Sequence, residues 1–345
     1  MNITVDPQQP DLRRPFPPLS GTRHRHLDLP GVRLHVAEAG RSDGEPVVLL
    51  HGFPQHWYAW RRVVPLLADR YRLICPDLRG FGWSQAPARG YDTATRVADV
   101  LALLDELGLA QVQLIGHEWG AWAGFHACLR APERFGAFLA LNIVHPWPLH
   151  RRLAPQAWRF WYTTPLEFPL LGRRLLRRRP EFTTYLLRRG TVAPAARSTT
   201  ETAETAGAAQ TVESVEAADT ADAFAEFAAA SAQPGSARAG ELLHRAFALR
   251  DVPALAVNRF HRQRLSTPTE LLGGEKDFIL PPEVLAGGER HADDLRTVIV
   301  AGAGHYLHEE RPELVAAAAR RLFARVQLNS STPAGSCAWP GAAGT

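Results

Sequence analysis

The chain has 345 residues, which is enough for a sizeable core, and 46% hydrophobic with 21% charged residues is ordinary globular composition. This composition excludes a disordered or fibrous protein for the bulk of the chain. A formal net charge of only +4, without a nucleic-acid-binding motif, argues against nucleic acid as a partner. Lys276 is the only lysine. We interpret the arginine usage as composition bias and the arginine clusters as a solvated face.

Cysteine usage and the distribution of apolar residues indicate the compartment. Three cysteines, Cys75, Cys128 and Cys337, cannot form a disulfide framework, and none belongs to a CxxC pair. The N-terminal stretch lacks the apolar region of a signal peptide, and no apolar run reaches the roughly 18 residues that a membrane span needs. The sequence therefore predicts a cytoplasmic protein that does not bind a membrane.

In chain order, strand-like and helix-like segments alternate. Two strand-like segments flank Pro30-Gly31 and predict a hairpin. The spacing of apolar residues predicts a helix over 95–107, which ends at Gly108. Four apolar runs suit strands buried on both faces: VVLL (47–50), YRLIC (71–75), VQLI (112–115) and AFLALNIV (137–144). This alternation predicts right-handed crossovers and a mostly parallel sheet.

Between residues 146 and 265 this pattern changes to aromatic and arginine-rich helical segments. The alternation resumes with TELLGG, TVIVAG and a final helix near 312–326, so we expect an insertion within one α/β core. An alanine-rich part of the insertion, 199–236, fits either a helix or a mobile loop. The predicted division is a flexible arm 1–24, a core 25–145 and 266–326, an insertion 146–265 and a flexible tail 327–345.

The most informative segment is Gly116-His117-Glu118-Trp119-Gly120, between a predicted strand and a predicted helix. A strand, a Gly-x-x-x-Gly pattern and a helix form the context of a nucleophile elbow, where glycines relieve crowding around a sharply turned central residue. That residue is Glu118. The unpaired N–H groups at a helix N-terminus favour its ionised form. A glutamate that only caps the helix is the alternative for this pattern taken alone.

Further candidate site residues follow other predicted strands. Phe53 follows VVLL and His51-Gly52, where its backbone N–H can point toward the elbow as half of an oxyanion hole. The N–H of Trp119 would be the other half. Asp277 follows TELLG and His305 follows TVIVA, so the chain order is carboxylate, Asp, His.

These motifs together resemble the α/β-hydrolase superfamily, in the branch of epoxide hydrolases and haloalkane or haloacetate dehalogenases. The resemblance covers roughly residues 25–326, apart from the alanine-rich part of the insertion. It implies an eight-stranded, mostly parallel sheet with helices on both faces. It also implies a helical cap inserted after the sixth strand, with the active site between core and cap. No cofactor is expected, since no metal-ligand spacing or phosphate-binding loop stands out.

The resemblance also implies a role for each site residue. The elbow carboxylate attacks an epoxide or displaces halide to form an alkyl-enzyme ester, which water activated by His305 then cleaves. Asp277 holds the imidazole in its useful tautomer, with Glu275 as the nearby competitor. Phe53 favours the epoxide hydrolases, because the dehalogenases often carry Asn or Glu at this position. We expect an epoxide or similar electrophile in a mostly apolar small molecule.

Two departures from the family pattern leave the chemistry open. Glu118 stands where the family has Asp, and the extra methylene displaces its carboxylate by roughly 1 Å to 1.5 Å. His244 replaces one of two cap tyrosines that hydrogen-bond the epoxide oxygen. The remaining candidates for substrate contacts are Tyr162, Tyr185 and Trp158.

The alternatives therefore span three classes of protein. Glu118 could serve as a general acid or base in a non-hydrolytic cyclisation, ring-opening or elimination of secondary metabolism. The protein could instead be a haloalkane or haloacetate dehalogenase, or a non-catalytic ligand-binding protein. The oligomeric state is open, and a homodimer is one alternative.

Overall fold

The computed structural model describes residues 14–192 and 218–331, with only the backbone for the last four of these. The rest of the chain lies outside the described residues. This includes Cys337, the first half of the alanine-rich segment and the end of the predicted tail.

Eight strands form a single sheet. They are β1 Arg23–Leu29, β2 Val32–Gly40, β3 Glu45–Leu50, β4 Tyr71–Pro76, β5 Val112–His117, β6 Phe135–Leu141, β7 Thr269–Gly274 and β8 Leu295–Val300. Their spatial order is β1-β2-β4-β3-β5-β6-β7-β8. β2 is antiparallel to both neighbours, and every pair from β4 to β8 is parallel. The predicted eight-stranded, mostly parallel sheet is confirmed.

Helices cover both faces of this sheet, so β5, β6 and β7 are buried along their whole length. The α-helices are α1 Val64–Leu67, α2 Thr93–Glu106, α3 Trp119–Arg130, α4 His150–Leu153, α5 Thr163–Glu167, α6 Leu171–Arg178, α7 Pro180–Gly190, α8 218–231, α9 Pro234–Ala246, α10 Val252–Ala256, α11 Pro282–Leu285, α12 Leu307–Glu310 and α13 Pro312–Ser331. No helix in the described ranges combines the length and apolar character required to cross a bilayer.

Helix α2 shows how local chemistry sets an element's ends. It begins two residues before the predicted start because the carboxylate of Asp92 accepts a hydrogen bond from the N–H of Thr95 (3.1 Å). It ends before Gly108, whose φ of 63° is a backbone conformation that glycine adopts without strain.

The described helices between β6 and β7, α4 to α10, form what we call the helical insert. A 3₁₀ helix, Ala154–Tyr162, joins α4 to α5. The insert is tied to the core by side-chain hydrogen bonds, such as that from Arg159 Nη1 to the carbonyl of Phe278 (2.9 Å) and that from Thr93 Oγ1 to Asp251 (2.9 Å). It therefore covers the carboxyl ends of the parallel strands, where active sites of open α/β sheets lie.

Two predictions about the chain ends need correction. Residues from Arg14 onward pack on the core and do not form a loose arm: Trp83 Nε1 donates to the Arg14 carbonyl (2.9 Å), and the Phe16 ring stacks on His24 at 4.0 Å. Aromatic contacts supply the apolar burial that the proline-rich composition concealed. At the other end, α13 continues to Ser331, into the predicted tail.

The close approach of α3 to β3 generates a stability prediction. A Cβ at Gly120 would lie 2.2 Å from the carbonyl oxygen of Leu50. Gly120→Ala should therefore lower the free energy of unfolding by about 3 kcal/mol, because the helix must move away from the sheet. The control Gly108→Ala meets no atom within 4 Å and should cost about 1 kcal/mol for its left-handed backbone. Equal losses in chemical denaturation would contradict this packing account.

Candidate active site

Glu118 lies at the turn from β5 into α3 in a backbone conformation that L-residues rarely adopt, with φ 48° and ψ −116°. Its N–H donates to the Leu141 carbonyl (3.0 Å), and its own carbonyl accepts from the Trp122 N–H (2.8 Å). A Cβ at Gly116 would lie 2.7 Å from the Cα of Ala121, so only glycine fits there. The surrounding hydrogen bonds and close packing thus hold a strained residue in place, as at a nucleophile elbow.

Two backbone N–H groups bind the Glu118 carboxylate. The N–H of Phe53 donates to Oε2 at 2.7 Å, and the N–H of Trp119 also donates to the carboxylate. Gly52 makes room for this contact, since a Cβ there would lie 2.5 Å from Oε2. The two amides that the sequence predicts as an oxyanion hole therefore converge on the elbow side chain itself.

Burial dominates the protonation of Glu118. It raises the pKa of the carboxyl group to about 7, although the nearby His305 and the two amides favour the ionised form. The charge of Asp277 raises this pKa further. Near neutral pH, Glu118 therefore exists in both protonation states.

His305 and Asp277 form a buried pair beside the elbow. Nδ1 of His305 lies 2.8 Å from Oδ2 of Asp277. The other carboxylate oxygen, Oδ1, accepts from the N–H groups of Ile279 (2.8 Å) and Leu280 (3.0 Å). This arrangement places the imidazole proton on Nδ1 and leaves Nε2 as the basic nitrogen. Within the described residues, Nε2 has no hydrogen-bond partner.

The electrostatic environment of His305 favours its protonated form. Burial lowers its pKa, but the charge and hydrogen bond of Asp277 outweigh this effect, and the charge of Glu118 adds to them. The net result is a pKa above the ordinary value. The competitor Glu275 points elsewhere, since it accepts from the Gly302 N–H at an exposed site (2.8 Å).

Sequence reasoning missed two residues that support this pair. Asn142 Nδ2 donates to Asp277 Oδ2 (3.0 Å) and to the Gly304 carbonyl (3.1 Å), and His117 Nε2 lies 3.0 Å from the His305 carbonyl. Asn142 has a φ of 46° directly after β6. An asparagine just beyond a buried strand was the available signal, because asparagine tolerates this conformation better than most residues.

A cavity of about 420 Å³ lies between the core and the helical insert, and both Glu118 and His305 line it. Its volume suits a small molecule. Its walls are mainly apolar, with Ile143, Val144, Leu153, Phe160, Leu255 and Ile279 among them. His244 and Tyr162 also line the cavity, and both side chains are buried.

The other two predicted substrate contacts are wrong, because Trp158 and Tyr185 do not line this cavity. Trp158 is 66% exposed: it lies on a 3₁₀ helix whose three-residue period points Ala157 and Phe160 inward and leaves Trp158 outward. Tyr185 is 47% exposed because α7 buries the opposite face, which carries Leu186 and Leu187.

Comparison with known proteins agrees with the fold. Residues 45–312 match the family described as alpha/beta hydrolase fold, to which the chain therefore belongs. It is 27% identical over 306 residues to the AB hydrolase superfamily protein YfhM of Bacillus subtilis (strain 168), an alignment covering 86% of this chain and 96% of that protein. Among solved structures, Cfl2 from Burkholderia cenocepacia is 32% identical with a TM-score of 0.71, covering 90% of this chain and 98% of that one.

Epoxide hydrolases occur among both the curated and the structural relatives. The soluble epoxide hydrolase of Corynebacterium sp. (strain C12) is 46% identical over 103 residues, which is 30% of this chain and 35% of that protein. Matches to the curated epoxide hydrolases span 33% to 42% of those proteins. The structure of the epoxide hydrolase CorEH is 26% identical, with a TM-score of 0.68 over 88% of this chain and 99% of that one. The chain therefore lies in the epoxide-hydrolase-like branch of its family.

The pKa of Glu118 generates a second stability prediction. A carboxyl group whose pKa is raised on folding destabilises the protein as pH rises from its unfolded value near 4.5 through about 7. Glu118→Gln removes that cost and should raise the free energy of unfolding by about 2 kcal/mol at pH 8, and by little at pH 4.5. Chemical denaturation at both pH values measures this. The exposed control Glu106→Gln should change little, and a destabilised Glu118→Gln at pH 8 would refute the prediction.

Proposed function

We propose that this protein hydrolyses an epoxide or a similar electrophile in a mostly apolar small molecule, with Glu118 as the nucleophile. The observation that carries the proposal is the convergence, in one apolar cavity, of the Glu118 carboxylate and the unpartnered Nε2 of His305. The epoxide hydrolases among its relatives support the same reaction class.

In the first step, a carboxylate oxygen of Glu118 attacks an epoxide carbon. The ring C–O bond breaks, its electron pair stays on the epoxide oxygen, and a hydroxyalkyl ester of Glu118 forms. The alkoxide needs a proton, which the hydroxyl of Tyr162 can donate, since it has no hydrogen-bond partner in the described part of the chain. Burial and nearby charges raise the pKa of Tyr162 well above its usual value, so it stays protonated at neutral pH.

In the second step, Nε2 of His305 takes a proton from water, and the resulting hydroxide attacks the ester carbonyl. Asp277 stabilises the imidazolium. The negative charge that forms on the carbonyl oxygen is stabilised by the N–H groups of Phe53 and Trp119. When this intermediate collapses, the C–O bond to the substrate breaks and the leaving oxygen takes the proton held by His305. The proton that entered with the hydroxide returns Tyr162 to its neutral form, the diol leaves and the Glu118 carboxylate is restored.

The structure accommodates glutamate where the family pattern has aspartate. The longer side chain still brings Oε2 to 2.7 Å from the Phe53 N–H, because Gly52 leaves room beside both the Cβ and Oε2 of Glu118. The elbow thus has room for the extra methylene, and the carboxylate keeps its hydrogen bond with the Phe53 N–H.

The covalent ester is the test of this mechanism. His305→Ala should accumulate an adduct on Glu118 when mixed with an epoxide panel, because the ester forms but water is not activated. Intact-mass measurement and peptide mapping locate it. In a wild-type single turnover in heavy-oxygen water, the label should first enter Glu118. The control Glu118→Gln/His305→Ala should form no adduct. Absence of both adduct and turnover across the panel would reject the proposal.

The proposed roles also predict a pH profile. Glu118 must be ionised to attack and His305 neutral to activate water, and both groups have raised pKa values, that of Glu118 being about 7. The kcat/KM for an uncharged epoxide should therefore rise with pH through about 7 and level off above it. Rates measured between about pH 5 and 9 check this, and a rate that falls as pH rises across neutrality would contradict it.

A second candidate is general acid or base catalysis by Glu118 without an ester. The pKa of Glu118 near 7 favours it, since such a group can both give and take a proton at neutral pH. This mechanism predicts that His305→Ala traps no adduct while the wild-type enzyme still converts its substrate without adding water.

A further inference from the structure

His244 has a defined environment in the cavity. It lies on α9 and is 3% exposed. Its ring makes edge contacts with Phe53, at a centroid distance of 4.7 Å, and with Trp119, at 5.3 Å. These two residues also supply the N–H groups that hold Glu118. His244 therefore packs directly against the residues that position the elbow carboxylate.

One hydrogen bond fixes the tautomer of His244. Its Nδ1 lies 2.8 Å from the carbonyl oxygen of Gly240, one helical turn earlier. A carbonyl oxygen can only accept, so Nδ1 carries the proton, and Nε2 of the neutral ring has a lone pair and no hydrogen. Nε2 has no hydrogen-bond partner in the described ranges, although the side chain lines the cavity.

The ring also stays neutral. Burial lowers the pKa of His244 to about 4, the hydrogen bond to Gly240 opposes this only in part, and the positive charge of Arg96 lowers it further. At neutral pH the cavity therefore contains a hydrogen-bond acceptor at His244.

We infer that Nε2 of His244 accepts a hydrogen bond from a hydroxyl group of the substrate that lies near its electrophilic centre, because the ring packs against the two residues whose N–H groups hold Glu118. This inference rests on the proposed function. An epoxide oxygen has only lone pairs, and the alkoxide that forms on ring opening is a stronger acceptor still, so neither can bind Nε2. The hydroxyl of Tyr162 is the matching donor for that oxygen, and His244 binds a different group.

Unreactive analogues test the inference without catalysis. A 2-alkylcyclopropyl methanol has the shape of an epoxy alcohol, and its methyl ether lacks the donor and is larger by one methyl group, a difference in size for which His244→Phe is the control. By calorimetry, the wild-type protein should bind the alcohol roughly tenfold tighter than the ether, as one neutral hydrogen bond allows. His244→Phe keeps an aromatic ring but no acceptor, and should bind the two analogues equally.

Catalysis supplies a second comparison. The kcat/KM for a 2,3-epoxyalkan-1-ol should exceed that for its methyl ether by roughly tenfold, and His244→Phe should abolish this ratio. His126→Phe is the matched control, because His126 is a histidine packed against Trp122 that does not line the cavity. The control should keep the wild-type ratio.

The outcomes separate this inference from the proposed function. If the wild-type protein prefers the alcohol analogue and His244→Phe does not, the assignment of His244 is supported. This holds even if no epoxide is hydrolysed, and in that case only the proposed function fails. Equal binding of the two analogues by the wild-type protein, or binding of neither, overturns the assignment even if epoxides are hydrolysed. Nitrogen-15 NMR checks the tautomer of His244 directly. The signals of its ring are assigned as those that disappear in His244→Phe. If they show that the proton is on Nε2, the assignment of His244 as an acceptor is overturned.

Discussion

The hydrogen bond from the Phe53 N–H to Glu118 is the contact on which the site depends. It joins the segments that follow β3 and β5, which are neighbours in the sheet with Leu50 opposite Gly116. A buried carboxylate is costly unless hydrogen bonds and opposite charge stabilise it, and here they do so only in part. The desolvation that these contacts do not offset raises the pKa of Glu118 to about 7. Close packing at Gly52 and the strained backbone of Glu118 keep the carboxylate there despite this cost.

The supporting polar network extends from the site into the helical insert. Glu309, four residues after His305, accepts two hydrogen bonds from Arg61, each of 2.7 Å. The same guanidinium donates to Asp219 of α8 at 2.9 Å. A buried arginine thus links the segment that carries the imidazole to α8 of the helical insert. Arg61 and Glu309 are both buried, so removing either one would leave the other as an unpaired buried charge in the segment that follows His305, whereas the Asp219 side chain is 42% exposed and its loss should cost less.

The sequence allowed prediction of the sheet and the clustering of Glu118, Asp277 and His305, since parallel strands bring their carboxyl ends to one edge. The tryptophan at 158 was misplaced because its orientation depends on a 3₁₀ period, which apolar spacing alone does not distinguish from an α-helical one. The packing of Phe16 depends on aromatic partners distant in the chain. The acceptor character of His244 depends on a single contact with the carbonyl of Gly240, which no residue pattern encodes.

Burial in the cavity disfavours the charged form of three titratable groups that face the substrate. Burial raises the pKa of Glu118 and of Tyr162 and lowers that of His244. A neutral electrophile enters such a site more readily than an ion does. Attack by Glu118 then converts a poorly solvated carboxylate into an uncharged ester and moves the negative charge to the epoxide oxygen, where the hydroxyl of Tyr162 can donate a proton to it. In the second step a negative charge forms on the carbonyl oxygen, where two amides already point at it. A glutamate with a raised pKa is therefore compatible with a nucleophilic role, provided that the pH is high enough to ionise it.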